Sequence, residues 1–268
     1  MSSLQSAQAG PFQPAQIGVD RAEAIAPIRV NHLDVFYRDL HALEDVSVTV
    51  RPGRLTGIVG PNGAGKSTLM KAMLGLIPAT NGKVNWGNGS LLAQRERLAY
   101  LPQRAQIDWR YPATAWDVVM MGRVRKSGWL RKFSPTSKRA AEAALKRVGM
   151  EDFAQRPIGQ LSGGQQQRIF LARALAQEAD VLFLDEPLTG VDKKTEAVIF
   201  EILRELASEG KVVLAVHHDL GPTIQNFDEV ILLNRELIAS GARDEVLQSE
   251  FMQRAYGGWA GTGAGAAA

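Results

Sequence analysis

The chain has 268 residues, enough for one large domain or two modest ones, and its composition (45% hydrophobic, 22% charged) is that of a globular protein. Its 31 basic and 28 acidic side chains leave a formal net charge of only +3, which gives no electrostatic reason to expect a nucleic-acid partner. There are no cysteines, no apolar run near the roughly 20 residues of a membrane-spanning helix and no signal-peptide pattern, so we expect any membrane association to come through a partner.

The two ends of the chain differ in composition from the rest. Residues 1–26 are rich in Ala, Gln, Ser and Pro, and residues 252–268 are rich in Gly and Ala. Segments of this kind bury too little apolar surface to offset the entropy lost on ordering, so we predict disordered tails at both ends. The interval 27–251 is predicted to form the folded domain.

The first ordered elements are predicted to be strands followed by a helix. Residues 33–37 and 46–50 alternate between apolar and polar side chains, which predicts half-buried strands. The apolar run at 55–59 suits a fully buried strand. Apolar positions over 69–74 then follow helical spacing, and Gly75 supplies a plausible helix end.

The middle of the chain is helical and basic, and strand–helix alternation follows it. Residues 114–148 have helical spacing and many lysines and arginines, with Pro135 interrupting the pattern. We interpret the basic side chains as a solvated face, with contact to a lipid headgroup or a permease as the alternative. Apolar runs at 181–184 and 212–216, separated by a helical segment at about 195–208, predict a mainly parallel sheet with helices on both faces.

A phosphate-binding motif lies between the predicted buried strand and the first helix. Residues 60–67 fit the pattern G-x-x-x-x-G-K-[ST], in which glycines let backbone N–H groups surround phosphate oxygens. The lysine supplies a cation to the β- and γ-phosphates, the serine offers a hydroxyl to Mg²⁺, and the helix N-terminus favours an anion. The predicted phosphate-binding residues are Gly60, Pro61, Asn62, Gly63, Ala64, Gly65, Lys66, Ser67 and Thr68. Many classes of nucleotide-binding protein share this motif.

Two further motifs narrow the class. The sequence LSGGQ at 161–165 resembles the signature motif of the ABC ATPase family, and VLFLDEP at 181–187 resembles its Walker B strand. The resemblance extends over about residues 28–247. It implies a P-loop NTPase (RecA-like) α/β core with a mainly parallel sheet (27–104 and 167–251), an N-terminal antiparallel β subdomain and an inserted α-helical subdomain (105–166).

The resemblance also assigns roles to individual residues. It implies that Lys66, Gln103, Glu186 and His218 are catalytic, with Glu186 as the general base for the attacking water and His218 on the γ-phosphate. It implies Mg²⁺ ligands at Ser67, Gln103 and Asp185, and adenine stacking by Tyr37.

The residues alone leave simpler interpretations open for three positions. Ser162 could simply cap a helix, and Tyr37 could be an ordinary strand aromatic. His217 is adjacent to His218, so on a strand it would point to the opposite face. The remaining nucleotide contacts implied by the family are Ser162, Gly163, Gly164, Gln165 and Asp192.

The same resemblance implies partners and a location. ABC ATPases work as head-to-tail dimers that sandwich ATP, so we expect a C2 homodimer. We also expect permease subunits, an indirect link to an extracytoplasmic solute-binding protein, and a peripheral position on the cytoplasmic face of the membrane.

The segment 100–123, with GVD, HHDL and AYGG further on, is similar to the manganese, zinc and iron uptake ATPases, most of all to the manganese group. Ala115-Trp116 departs from that pattern. An importer of another substrate, or a soluble ABC ATPase acting on ribosomes or DNA, is the alternative, although the interval 104–161 is too short for a coiled-coil arm.

Overall fold

The structure, a computed structural model, describes residues 25–103, 112–127 and 132–257. Most of both predicted tails lies outside the described residues, as does the Ile-Asp-Trp run at 107–109 that resembles the manganese group. At the boundary predicted for the N-terminal tail, the carbonyl of Ala26 accepts a hydrogen bond of 2.8 Å from the Trp86 indole. Ile25 and Ala26 therefore already pack against the folded domain.

The smaller of two sheets is antiparallel and contains the N-terminal strands. Its strands are β1 (Ile28–Tyr37), β2 (Leu40–Val50), β4 (Asn81–Trp86) and β5 (Gly89–Ser90), in the order β2-β1-β4-β5. Alternate residues of β1 and β2 are buried, as the sequence alternation predicted.

The larger sheet has six strands and is parallel except at one edge. Its strands are β3 (Arg54–Val59), β6 (Leu98–Leu101), β7 (Val181–Asp185), β8 (Val212–Val216), β9 (Glu229–Asn234) and β10 (Glu236–Ala242). The order is β10-β9-β3-β8-β7-β6, with only the β9–β10 hairpin antiparallel. Strands β7 and β8 are buried at every position, which agrees with the continuous apolar runs predicted there.

Helices cover both faces of the larger sheet. They are α1 (Lys66–Met73), α2 (Ala115–Met121), α3 (Val124–Ser127), α4 (Pro135–Arg147), α5 (Gly163–Ala176), α6 (Lys193–Ser208), α7 (Arg243–Val246) and α8 (Ser249–Tyr256). Helix α1 packs between the two sheets, in a core it shares with β1, β2, β7 and β8. Helices α2, α4 and α5 pack together on the opposite face, in a second core that also holds α6. The structure thus has the predicted α/β core, antiparallel subdomain and helical subdomain.

Three sequence-derived boundaries differ from the observed elements. Pro135 does not interrupt a helix, because it occupies the first turn of α4, where its missing N–H is tolerated and Ser134 caps the helix. Helix α5 is continuous across residue 166, the predicted end of the helical subdomain. Helix α8 continues beyond residue 251, the predicted end of the folded domain, since Ala255 is buried and its carbonyl accepts a hydrogen bond from Asn234.

The parallel strands end at a common edge of the sheet. Strand β3 leads directly into the phosphate-binding motif, β7 ends at Asp185, and β8 ends just before His217. Ligands of open α/β sheets bind outside the carboxyl ends of the strands. The fold therefore brings distant sequence motifs together at this edge.

Candidate nucleotide-binding site

Two glycines are required for the loop after β3 to take its shape. Gly60 has φ of 150°, and a Cβ atom there would lie 2.0 Å from the Leu233 carbonyl oxygen. Gly65 has φ of 90°, and a Cβ atom there would lie 2.6 Å from the Leu43 side chain. The loop is thus packed closely against β9 and β2, and α1 begins directly after it with its N-terminal N–H groups facing the loop.

Lys66 is buried within this loop. Its ammonium group donates hydrogen bonds of 2.8 Å to the carbonyl oxygens of Gly60 and Pro61. Burial lowers the pKa of Lys66, and the negative charges of Glu186 and Asp185 oppose that shift. A cation held by backbone carbonyls at a helix N-terminus is well placed to bind an anion.

Asp185 and Ser67 form the part of the site suited to a cation. The Ser67 hydroxyl donates a 2.8 Å hydrogen bond to Oδ1 of Asp185, whereas Oδ2 is buried and has no hydrogen-bond partner among the described residues. Burial is the main cause that raises the pKa of Asp185. Burial, together with the nearby Asp185 carboxylate, also raises the pKa of Tyr100 to about 12. A buried carboxylate oxygen without a partner beside a hydroxyl fits the oxygen ligation that Mg²⁺ prefers.

Glu186 is hydrogen-bonded by two side chains and approached by a third. Its Oε2 accepts 3.0 Å hydrogen bonds from the Gln103 amide and from the Thr189 hydroxyl, and Nδ1 of His218 lies 4.0 Å away. Glu186 has φ of 52°, a conformation that costs a non-glycine residue energy and is common at functional sites. The structure therefore brings together the three predicted catalytic residues that lie outside the phosphate-binding loop.

The two adjacent histidines differ sharply in environment, although they follow β8 rather than lie within it. His217 is buried against Phe227, with ring centroids 5.5 Å apart, and burial lowers its pKa. The side chain of His218 is 48% exposed and faces Glu186. Only the second histidine is placed to contact a ligand.

A cleft of about 330 Å³ contains the phosphate-binding loop. Tyr37, predicted to stack on adenine, lines the cleft with an exposed side chain, and Glu186 lines it as well. Sequence reasoning missed two residues here. Thr189 could have been found from its position three residues after Glu186, but Arg235 is brought to the cleft by the β9–β10 hairpin and has no local signal. The lining residues are Tyr37, Leu40, Ala42, Asn62, Gly63, Ala64, Gly65, Lys66, Ser67, Thr68, Glu186 and Arg235.

The predicted signature residues lie elsewhere on the chain. Ser162 caps α5, with its hydroxyl 3.3 Å from the Gln165 N–H and its own N–H bonded to the Gln165 side chain, and it remains exposed. A Cβ atom on Gly164 would lie 2.9 Å from the Thr195 hydroxyl, so α5 packs closely on the start of α6. No signature residue is among the described residues that line the cleft.

Asp192 has a similar capping position. Its Oδ1 accepts a 2.9 Å hydrogen bond from the Thr195 N–H at the start of α6, and Oδ2 accepts one of 3.0 Å from the Thr195 hydroxyl. These bonds lower the pKa of Asp192. Within one chain, Asp192 stabilises a helix start and does not line the cleft.

The fold and the site define a P-loop nucleotide-binding domain, and the comparisons with known proteins narrow this class. Residues 43–189 match the sequence profile of the family described as ABC transporter. The chain is 47% identical over 232 residues to the manganese transport system ATP-binding protein MntB of Bacillus subtilis, which covers 87% of this chain and 93% of that protein. It is 47% identical over 231 residues to the zinc transport system ATP-binding protein TroB of Treponema pallidum, covering 86% and 87%.

Solved structures agree with these sequence relationships. The dimeric structure of a bacterial ABC transporter cassette has a TM-score of 0.71 and 27% identity to this chain, covering 81% of this chain and 98% of the cassette. This protein belongs to the ABC transporter family and is an ATP-hydrolysing cassette. Among the described residues, no helix has both the length and the apolar character needed to cross a bilayer.

Proposed function

We propose that the protein is the ATP-hydrolysing subunit of an importer that carries a divalent metal ion, with manganese favoured and zinc or iron next. The observation that carries the ATPase assignment is the position of Glu186, which Gln103 and Thr189 hold beside the phosphate-binding loop. The metal assignment is supported by the manganese and zinc transport relatives, each matched over most of its length.

Different side chains of the site bind the phosphates, activate the attacking water and contact the adenine. Lys66 binds the β- and γ-phosphates in place of its present carbonyl partners, and Glu186 orients and deprotonates the attacking water. The bonds from Gln103 and Thr189 fix the carboxylate orientation, while the exposed His218, 4.0 Å from Glu186, contacts the γ-phosphate. Tyr37 stacks on the adenine.

Ser67, Gln103 and Asp185 would hold the Mg²⁺ of the nucleotide. The buried, unpartnered Oδ2 of Asp185 supports this assignment among the described residues, and the cation would supply charge neutralisation on the phosphates. The Gln103 amide nitrogen donates to Glu186, which leaves its amide oxygen as the atom able to face the cation.

A second copy of the chain would complete each site. The signature residues Ser162, Gly163, Gly164 and Gln165 lie outside their own cleft at the N-terminus of α5, with Ser162 exposed. In a head-to-tail C2 dimer, this helix start and Asp192 of one protomer approach the nucleotide held by the other. The likeness to a dimeric cassette structure supports this arrangement.

A cleft of about 850 Å³ between the sheet edge and the helical subdomain is the surface we assign to the permease. It carries two exposed apolar side chains, Leu76 and Met121, beside basic side chains such as Arg95 and Arg125. Through the permease the protein would lie on the cytoplasmic face of the membrane and act indirectly with an extracytoplasmic solute-binding protein. The small net charge of +3 gives no support to a nucleic-acid partner.

The proposed function is tested by cellular metal content. In the chromosomal gene, Glu186→Gln is expected to lower cell manganese selectively in metal-poor medium, whereas Glu201→Gln, an exposed change on α6, leaves it unchanged. A fall in cell zinc or iron instead of manganese would show that the transported ion is that metal. Unchanged levels of all three metals, in a strain without redundant uptake, would contradict metal import and favour another substrate or a role on ribosomes or DNA.

A further inference from the structure

The β9–β10 hairpin is fastened to the phosphate-binding loop at Arg235. The Arg235 N–H donates a 2.9 Å hydrogen bond to the Ala64 carbonyl within the loop. The Arg235 carbonyl accepts a 2.9 Å hydrogen bond from the Glu44 N–H on β2. Because both backbone groups of Arg235 are bonded to the two segments that form the cleft, the origin of its side chain is fixed at the cleft rim.

The stability of the hairpin does not explain why position 235 is occupied by an arginine. Arg235 has φ of 64°, in the left-handed region that glycine adopts freely and that residues with a Cβ atom adopt at a cost. Its side chain is exposed and adds nothing to either hydrophobic core. A glycine would adopt the backbone conformation of this turn at a lower energetic cost. An arginine here is therefore better explained by a function of its side chain than by folding.

The charge of Arg235 suits the ligand of the cleft. Among the described residues that line the cleft, Lys66 and Arg235 are the two cations and Glu186 is the one acid. Lys66 is buried within the loop, whereas Arg235 lies exposed at the rim, from which its long side chain can reach a bound anion. Arginine is also the side chain best suited to phosphate oxygens and to the face of a base.

We propose that Arg235 is a further nucleotide-binding residue, and that its guanidinium contacts the part of the nucleotide that ADP and ATP share. This inference rests on the proposed function of the cleft as an ATP site. The groups assigned to the γ-phosphate and the attacking water, Glu186, Gln103 and His218, hydrogen-bond or approach one another at the ends of β6, β7 and β8. Arg235 also lines the cleft, but it is bonded through its backbone to Ala64 of the loop and to Glu44 on β2, not to any of those three residues.

Calorimetric titration of the purified chain with ADP, and with ATP in EDTA so that it is not hydrolysed, tests the proposal. Arg235→Gly is expected to weaken binding of both nucleotides by the same factor, about fivefold for one partly exposed charge contact. Arg235→Lys keeps the cation but loses the planar set of donors, so its affinity is expected to lie between those of Arg235→Gly and the wild type. Because glycine relieves the left-handed backbone, Arg235→Gly should leave the melting temperature unchanged or raise it by up to about 3 °C.

Arg38 supplies a matched control. It is an exposed arginine with φ of 52° in the β1–β2 turn and is not among the residues that line the cleft. Arg38→Gly, which removes the same charge from the same backbone conformation, is expected to keep wild-type affinity. Equal losses for Arg38→Gly and Arg235→Gly, unchanged affinity of Arg235→Gly, or a loss confined to ATP would each overturn the proposal. A wild-type chain that binds neither nucleotide would instead refute the ATP site itself.

Discussion

At the scale of single residues, the ammonium of Lys66 is bonded to two backbone carbonyls of the loop that it would leave to bind phosphate. Lys66→Ala removes the only cation buried among the described cleft residues, so we expect ATP affinity to fall by at least about tenfold. Lys211→Ala is the matched control, since Lys211 also donates a 2.8 Å hydrogen bond to a backbone carbonyl, that of Ala179, outside the cleft. Titration of each variant with ATP measures the effect, and equal affinity of Lys66→Ala and wild type would refute the phosphate-binding role.

His217 should make the stability of the protein depend on pH. Burial, and then the charge of His218, lowers the pKa of His217 in the folded state below the value of 6.5 for a free histidine, while Asp219, Glu196 and Glu186 oppose the shift. As the pH falls below 6.5, the unfolded chain therefore binds a proton that the folded chain resists, and stability is lost. Above that pH the contribution is fully present.

Thermal unfolding measured between about pH 7.5 and 5.5 tests this linkage. We expect the melting temperature of the wild type to fall more steeply with decreasing pH than that of His217→Gln, whose side chain does not titrate. Parallel curves for the two proteins would show that His217 protonation does not destabilise the fold.

The residues that the sequence predicted best are those within contiguous motifs. The run from Gly60 to Ser67 and the pair Asp185 and Glu186 are recognisable because their chemistry depends on fixed spacing along the chain. Thr189 and Arg235 were missed for different reasons. Thr189 lies three residues after Glu186, a local spacing that could have indicated its contact, whereas the contact of Arg235 with Ala64 depends on a hairpin whose position no local pattern specifies.

At the scale of elements, helices α5 and α2 have the same kind of N-terminal cap. Ser162 and Gln165 form a capping box at α5, and Thr114 and Asp117 form one at α2. Replacing either cap with alanine is expected to destabilise the protein by about 1 kcal/mol. The two helices therefore offer a direct comparison between a cap that only starts a helix and one that we propose also contacts a nucleotide.

We predict that Ser162→Ala lowers the ATP turnover rate by at least about tenfold, while Thr114→Ala leaves it unchanged, because only Ser162 would reach the nucleotide of a partner subunit. Both variants should show similar losses of thermal stability. Steady-state hydrolysis at matched temperature below both melting points separates the effects. Equal turnover of the two variants would reduce Ser162 to a helix cap, which is the alternative that its residue type alone leaves open.

Most elements were predictable because burial imposes a period on the sequence. The alternation in β1 and β2 and the apolar runs of β7 and β8 match the faces that the structure buries. The beginning of α4 had a local signal, a serine cap followed by proline at the first helical position, which we interpreted as an interruption. The extension of α8 to Tyr256 had none, since it depends on packing against β9.

At the scale of the whole molecule, the pairing order of the sheet determines which motifs meet. The order β9-β3-β8-β7-β6 places the phosphate-binding loop beside the ends of β8 and β7, although more than a hundred residues separate them in the chain. Strand order depends on long-range contacts, so the sequence indicated a parallel sheet but not which strands are neighbours. The grouping of Gln103, Glu186 and His218 was predictable only through the family resemblance.

The same architecture leaves the signature helix apart from the cleft of its own chain, so we expect hydrolysis to need both Glu186 and a second copy of the protein. The most direct test is to measure ATP turnover and oligomeric state of Glu186→Gln together, by phosphate release and by size-exclusion chromatography with light scattering. We predict that this variant binds ATP, hydrolyses it at least about a hundredfold more slowly than wild type, and forms a dimer with ATP but not with ADP. A Glu186→Gln protein that turns over ATP at the wild-type rate, or that stays monomeric with ATP bound, would contradict this mechanism.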